Sequence, residues 1–95
     1  MTVQMAYTQP ELDSRLDQVR TCQRNGNPES VTFRKLRTIG TKVKDVWFWG
    51  VNMEESLWVC CVFEDVDFTG AMTKNAYFNQ CQFINCKDEN RLTRT

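Results

Sequence analysis

Between residues 46 and 86 the apolar positions recur every five residues. Cut in fives, the stretch reads VWFWG, VNMEE, SLWVC, CVFED, VDFTG, AMTKN, AYFNQ and CQFIN, followed by Cys86. The first column is Val46, Val51, Ser56, Cys61, Val66, Ala71, Ala76, Cys81 and Cys86, every one small or β-branched. The third is Phe48, Met53, Trp58, Phe63, Phe68, Thr73, Phe78 and Phe83, large and apolar at all but Thr73. A period of five fits neither a helix at 3.6 nor a flat strand at 2. Self-similarity at a fixed period predicts a stacked repeat.

The pattern resembles the pentapeptide-repeat proteins, with their loose consensus of small, polar, Leu or Phe, then two variable residues. VDFTG, AYFNQ and CQFIN match it best, and the resemblance covers at least 41 of 95 residues. It implies a mainly β chain: a short right-handed quadrilateral β-helix of about three coils. Four pentads would make one square turn, the third residue filling the axis and the first packing beside it. Thr73 departs from the pattern, as do the apolar second positions Trp47, Leu57, Val62 and Met72.

Upstream the register continues through VTFRK, LRTIG and TKVKD at 31–45. Val31 and Phe33 fit well, whereas Leu36 is large and Thr38 polar for their slots. Residues twenty apart are expected to stack roughly 4.8 Å apart, as neighbouring strands do. That places Arg34, Glu54 and Lys74 in one outward file, Lys35 over Glu55, Lys44 over Glu64, and Asp45 over Asp65. Opposite charges across strands stabilise by about 0.2–1 kcal/mol a pair. The repeat is therefore extended to 31–90, with a capping hairpin at 31–45 as the rival reading. Asp88 falls in a centre slot, where a carboxylate is costly. The coil is thus expected to stop near Cys86, leaving 87–95 as a polar cap or loose tail, with 91–95 outside the repeat.

Residues 1–30 read differently. After a ragged lead-in at 1–7, Thr8 and Glu11 form a capping box, with Pro10 in the first turn and Tyr7 and Leu12 at staple positions. Leu12, Leu16 and Val19 make one apolar stripe, extended by Cys22. Gly26 and Pro28 supply the stop. A capping helix is predicted over about 9–24. Its stripe must be buried, either over the open end of the first coil or along a wall bearing Ile39, Leu57, Val59 and Tyr77, with Val62 and Ile84 around the next corner. In the first case that apolar wall stays free for a partner.

Ninety-five residues with zero net charge give one small domain and no global field toward nucleic acid or membrane. The charge is uneven: residues 46–85 carry Glu54, Glu55, Glu64, Asp65 and Asp67 against Lys74 alone. The N-terminus lacks the basic start and apolar run of a signal peptide, and no 18-residue apolar stretch is present. Five cysteines without an export signal read as reduced thiols. The expected location is the cytoplasm, a bacterial host cytosol if the chain is viral.

No histidine is present, which removes the commonest general base and metal ligand. Cys61 and Cys81 lie twenty apart in the first column, as a disulfide, half a metal site, or small fillers; the filler reading is favoured, as Cys86 over Val66 supports. Cys60, in the fifth column, is expected near the surface. No enzyme, cofactor or metal site is expected. Trp47 and Trp49 flank the inward Phe48 and are expected to point outward, and exposed Trp is enriched in binding hot spots. The rival reading is that the N-terminal segment buries them.

Three functions fit. The first is a non-enzymatic protein-binding inhibitor of a bacterial nucleic-acid-handling complex, of phage or mobile-element origin and anti-CRISPR-like, acting by occlusion or DNA mimicry. This step is by analogy with other small non-catalytic inhibitors. Its partner-binding residues would be Trp47, Trp49, Glu54, Glu55, Glu64, Asp65 and Asp67. The second follows from the resemblance: an acidic DNA mimic on a type II topoisomerase such as gyrase. The third is a structural assembly module, for which a homodimer is an open reading.

Overall fold

A computed structural model describes residues 7–26 and 31–94. The expected lead-in, apart from Tyr7, and Pro28 lie outside the described residues. Helix α1 spans Gln9–Arg24. Seven short strands follow: β1 Arg37–Ile39, β2 Lys42–Trp47, β3 Leu57–Val59, β4 Val62–Asp67, β5 Tyr77–Asn79, β6 Gln82–Ile84 and β7 Thr93–Arg94. A 3-10 turn, Glu89–Arg91, precedes β7.

All pairing among these strands is parallel. One sheet has the order β1-β3-β5-β7 and the other β2-β4-β6. Arg37 lies beside Leu57 and Leu57 beside Tyr77; Lys42 lies beside Val62 and Val62 beside Gln82. The segment 37–47 thus pairs in parallel with the residues twenty later, which a hairpin cannot do. At β7 the spacing shortens, with Tyr77 beside Thr93, because the 3-10 turn cuts the path. Where a polar cap or loose tail was expected, Leu92 is buried and Thr93 pairs with β5.

The expected quadrilateral β-helix is corrected by this topology. Among the described residues, regular ladders exist in two sheets only, not on four walls. Elsewhere the chain makes isolated bridges, Thr32 with Asn52, Asn52 with Met72, and Asp67 with Lys87. The cause lies in the turns. Between β2 and β3 one turn takes Trp49 and Gly50 and a second takes Glu54 and Glu55, so only 51–53 lie between them. There the chain makes one bridge, at Asn52, and no ladder.

Those turns have a regular backbone cause. Every fifth residue from Lys35 to Asn85 has φ between +53° and +72°, or +79° at Gly70. The set includes Gly40, Gly50, Gly70, Asn75 and Asn85, which enter this region at little cost. Lys35, Glu55, Cys60 and Gln80 adopt it as well, at roughly 1 kcal/mol each.

The first and third columns form the core. Val31, Val46, Val51, Val66, Ala71 and Ala76 are buried from the first; Phe33, Val43, Phe48, Met53, Trp58, Phe63, Phe68 and Phe78 from the third. Rings twenty apart stack: Phe63 on Phe83 at 5.2 Å and 7°, Trp58 on Phe78 at 6.0 Å and 6°. Rings from neighbouring pentads meet edge to face, as Trp58 meets Phe63 at 5.3 Å and 62°. Such pairs add about 0.5–1.5 kcal/mol beyond area burial. The polar core residues are satisfied locally. Thr38 Oγ1 donates to the Tyr7 carbonyl and lies 3.0 Å from Thr41 Oγ1. Trp58 Nε1 donates to Ser56 Oγ, which donates to the Met53 carbonyl.

Helix α1 starts where Thr8 donates from both its N–H and its hydroxyl to Glu11 Oε1, at 3.0 and 2.7 Å. Those two bonds hold the Glu11 carboxyl below its ordinary range. The helix packs against β2, the first strand of its sheet. Leu12, Leu16 and Val19 are buried there. Polar residues on the same side close the open strand edge. Gln9 accepts from Lys42 N and donates to Lys42 O; Arg20 donates to the Lys44 and Asp45 carbonyls; Gln23 donates to the Trp47 carbonyl. Tyr7 does the same for β1, donating to the Arg37 carbonyl, while the Arg15 guanidinium sits 5.2 Å from its ring centroid. The helix therefore closes the end and does not lie along a wall.

Candidate tryptophan corner

Trp47 ends β2, and Trp49 opens the turn that follows. Phe48 between them is fully buried, so the flanking rings point outward, 47% and 43% exposed. Their centroids are 5.8 Å apart and their planes tilted by 34°. Each ring has a seat on the next turn of chain. Trp47 Nε1 donates to the Thr69 carbonyl at 3.2 Å. Trp49 lies over Gly70, where an added Cβ would come within 2.7 Å of its Cδ1. From the helix side, Gln23 donates to the carbonyls of both Trp47 and Trp49. The indoles thus rest on the Thr69–Gly70 backbone, while α1 bonds the main chain that carries them. A groove of about 540 Å³ runs beside them, lined by Arg20, Gln23, Arg24, Asp45, Val46 and Trp47.

The acidic residues named with the tryptophans do not gather here. Asp67 alone lies in register beside Trp47, and its Oδ1 accepts from Thr69 N. Asp65 Oδ1 accepts from Asn85 Nδ2 at 2.6 Å. Glu64 pairs with Lys42 at 3.2 Å, although Lys44 is its strand neighbour. Glu55 pairs with Arg34 at 2.7 Å and not with Lys35. Both ion pairs run diagonally because a long cationic side chain reaches past its direct partner to the next outward position. Glu54 and Glu55 belong to the strip of isolated bridges through Asn52, outside both sheets.

The cysteines behave as packing residues. Cys61 is buried, with Thr41 Oγ1 at 3.3 Å from its sulfur. Cys81 donates to the Trp58 carbonyl and Cys86 to the Phe63 carbonyl. Contact with Cys81 draws the Cys61 thiol down to about 6 against its burial, and the same contact, then burial, pushes Cys81 up. With Cys61 only 1% exposed, no reagent reaches that sulfur directly. Among the described residues, no three His, Cys, Asp or Glu side chains converge as metal ligands would.

Comparison with protein-family models, with curated proteins and with solved structures gave no match. The reading of this corner therefore rests on its own chemistry. What sequence reasoning missed is the seat beneath the rings. Gly70 stands twenty after Gly50, and the recurrence of glycine in the fifth column, at Gly40, Gly50 and Gly70, was the available signal.

Proposed function

We propose that this chain is a non-catalytic protein-binding inhibitor whose docking centre is the pair Trp47 and Trp49. Its partner would be a nucleic-acid-handling complex of a bacterial cytosol, blocked by occlusion, as expected of a phage or mobile-element anti-defence protein. The observation that carries the docking centre is two half-exposed indoles with centroids 5.8 Å apart, one hydrogen-bonded to backbone and the other packed over Gly70. Large aromatic surface already fixed in place loses little entropy on binding, so it suits a hot spot. No helix among the described residues is long and apolar enough to cross a membrane.

DNA mimicry of a topoisomerase substrate has less support. A mimic needs a row of carboxylates at phosphate spacing with an open field. Here Glu55 and Glu64 are each neutralised by a cation, and Asp65 is engaged by Asn85. The assembly-module reading requires the two indoles to be covered, by the N-terminal segment or by a second copy; within the described chain they are half-exposed.

The test is capture from bacterial lysate at low and high salt, with the Trp47→Ala/Trp49→Ala variant beside the parent chain. A salt-resistant nucleic-acid-handling complex, lost in the variant, is the expected result. Salt-sensitive capture of a topoisomerase, unchanged in the variant, would replace this reading with mimicry.

A further inference from the structure

The first column sets two thiols one above the other, away from the tryptophan corner. Cys61 precedes β4 and Cys81 precedes β6. These strands pair in parallel with Val62 beside Gln82, and Gln82 N donates to the Cys61 carbonyl at 2.9 Å. Cys61 and Cys81 are therefore neighbours across the ladder, about 4.8 Å apart. A disulfide spans Cα atoms roughly 4.4–6.8 Å apart, so this step is within reach. The side chains also point alike. Cys61 Sγ lies 3.4 Å from the Val59 carbonyl oxygen and 3.9 Å from that of Thr38. Cys81 Sγ lies 3.5 Å from the carbonyl oxygen of Asn79 and 3.3 Å from that of Trp58. Each partner of the second sulfur stands twenty after a partner of the first, so the two sulfurs are in file and in contact. Their access differs. Cys61 is sealed, whereas Cys81 is half-buried beside β6, the last strand of its sheet. Among the described residues, the other cysteines have no thiol in the matching place. Cys60 stands beside Gln80, its sulfur 4.0 Å from Oε1; Cys86 stands beside Val66; Cys22 is on α1.

We infer that Cys61 and Cys81 are a redox pair, closed by a small peroxide into a disulfide that latches β6 to β4. The outer thiol reacts first. A Cys81 thiolate attacks one oxygen of hydrogen peroxide, the O–O bond breaks, hydroxide leaves, and Cys81 becomes a sulfenic acid. Cys61 beneath it, as thiolate, then attacks the Cys81 sulfur. The S–O bond breaks, the S–S bond forms and a second hydroxide leaves. The two thiol protons neutralise the two hydroxides. Two thiols and one peroxide thus give one disulfide and two waters, with two electrons passing from sulfur to oxygen. Contact between the sulfurs lets them share one proton, so loss of a single proton from the pair supplies the first nucleophile. Thr41 Oγ1, 3.3 Å from Cys61 Sγ, favours the second thiolate. The sealed position of Cys61 shields it from the peroxide itself and leaves the Cys81 sulfur as its electrophile. The bond acts where the stack is held least, because β6 has a strand neighbour on one side alone.

The test uses the full chain, reduced, treated with hydrogen peroxide, alkylated, and cut after Lys and Arg without reductant. Lys74 separates peptide 45–74, which holds Cys60 and Cys61, from peptide 75–87, which holds Cys81 and Cys86. A link between these two peptides within one chain is expected, reversed by dithiothreitol. Cys60→Ala/Cys86→Ala is expected to keep the link, and Cys61→Ala and Cys81→Ala each to lose it. Alanine is already buried in this column at Ala71 and Ala76, so these variants suit the fold. In Cys61→Ala, dimedone is expected to trap a sulfenic acid on Cys81; in Cys81→Ala, Cys61 is expected to stay unlabelled. Amide exchange at Gln82, which bonds the Cys61 carbonyl, is expected to slow in the linked chain. The Trp47→Ala/Trp49→Ala variant is expected to link as the parent does, which separates the pair from the proposed docking centre. Four results would overturn the inference: a link that survives in either single variant, a link lost in Cys60→Ala/Cys86→Ala, unchanged Gln82 exchange in the linked chain, or oxidation of the exposed Cys60 with no link.

Discussion

The two ends of the stack are closed by different means. At the first, a helix of 16 residues places Leu12, Leu16 and Val19 over the core and satisfies the β2 edge through Gln9, Arg20 and Gln23. At the second, one 3-10 turn, the two-residue β7 and Leu92 do the work. There β6 is the last strand of its sheet, and Phe83, Cys81 and Cys86 are only half-buried. The difference explains the surface. A helix used to seal an open sheet edge cannot also shield a wall, so the tryptophan corner and the wall residues Ile39 and Tyr77 are left exposed. Open edges carry unpaired backbone groups whose desolvation outweighs partial exposure of a few apolar side chains.

The contrast can be broken most directly by emptying each seal. Leu16→Ala is expected to cost about 3–5 kcal/mol and Leu92→Ala about 2 kcal/mol, measured by urea unfolding. Equal losses would mean that the ends are not unequal. Arg20→Ala removes the donor to the Lys44 and Asp45 carbonyls and is expected to cost about 1–2 kcal/mol, with faster amide exchange along β2. Gly70→Ala places a Cβ at a φ of +79° and against Trp49. A loss of about 1–2 kcal/mol is expected, with red-shifted tryptophan emission as the ring leaves its seat. The smallest effect sits at the helix cap. Glu11 is more acidic folded than unfolded, from an ordinary value of 4.5. Its contribution is therefore present above about pH 4.5 and is lost as pH falls through the lower folded value. Glu11→Gln is expected to flatten that part of the pH–stability curve, followed by thermal melts across the acid range.

Much of this was legible in the chain. The first and third columns named the core, the twenty-residue spacing named the strand partners, and Thr8, Glu11 and Gly26 bounded the helix. That regular ladders would form in two sheets and not on four walls was not legible. It depends on whether a corner interrupts a ladder. Asp45 and Asp65 carry positive φ inside unbroken six-residue strands, whereas Glu55 and Gly50 sit in turns that leave a single bridge. Residue type does not separate these cases. The ion pairs also differed from the direct files, because Lys42 and Arg34 reach diagonally. The docking of α1 was hidden for another reason. Its apolar stripe fits an end or a wall equally, and the choice is made by Gln9, Arg20 and Gln23 meeting backbone groups that a sequence does not display.

The central claim is that Trp47 and Trp49 stand at the surface while Trp58 is sealed in the core. Iodide quenching of tryptophan fluorescence tests it in two variants, Trp58→Phe and Trp47→Phe/Trp49→Phe. The account predicts strong quenching in the first and almost none in the second, following exposures of 47%, 43% and 0%. Shielded emission from the first variant would mean that the corner is already covered, and the docking centre would have to be abandoned.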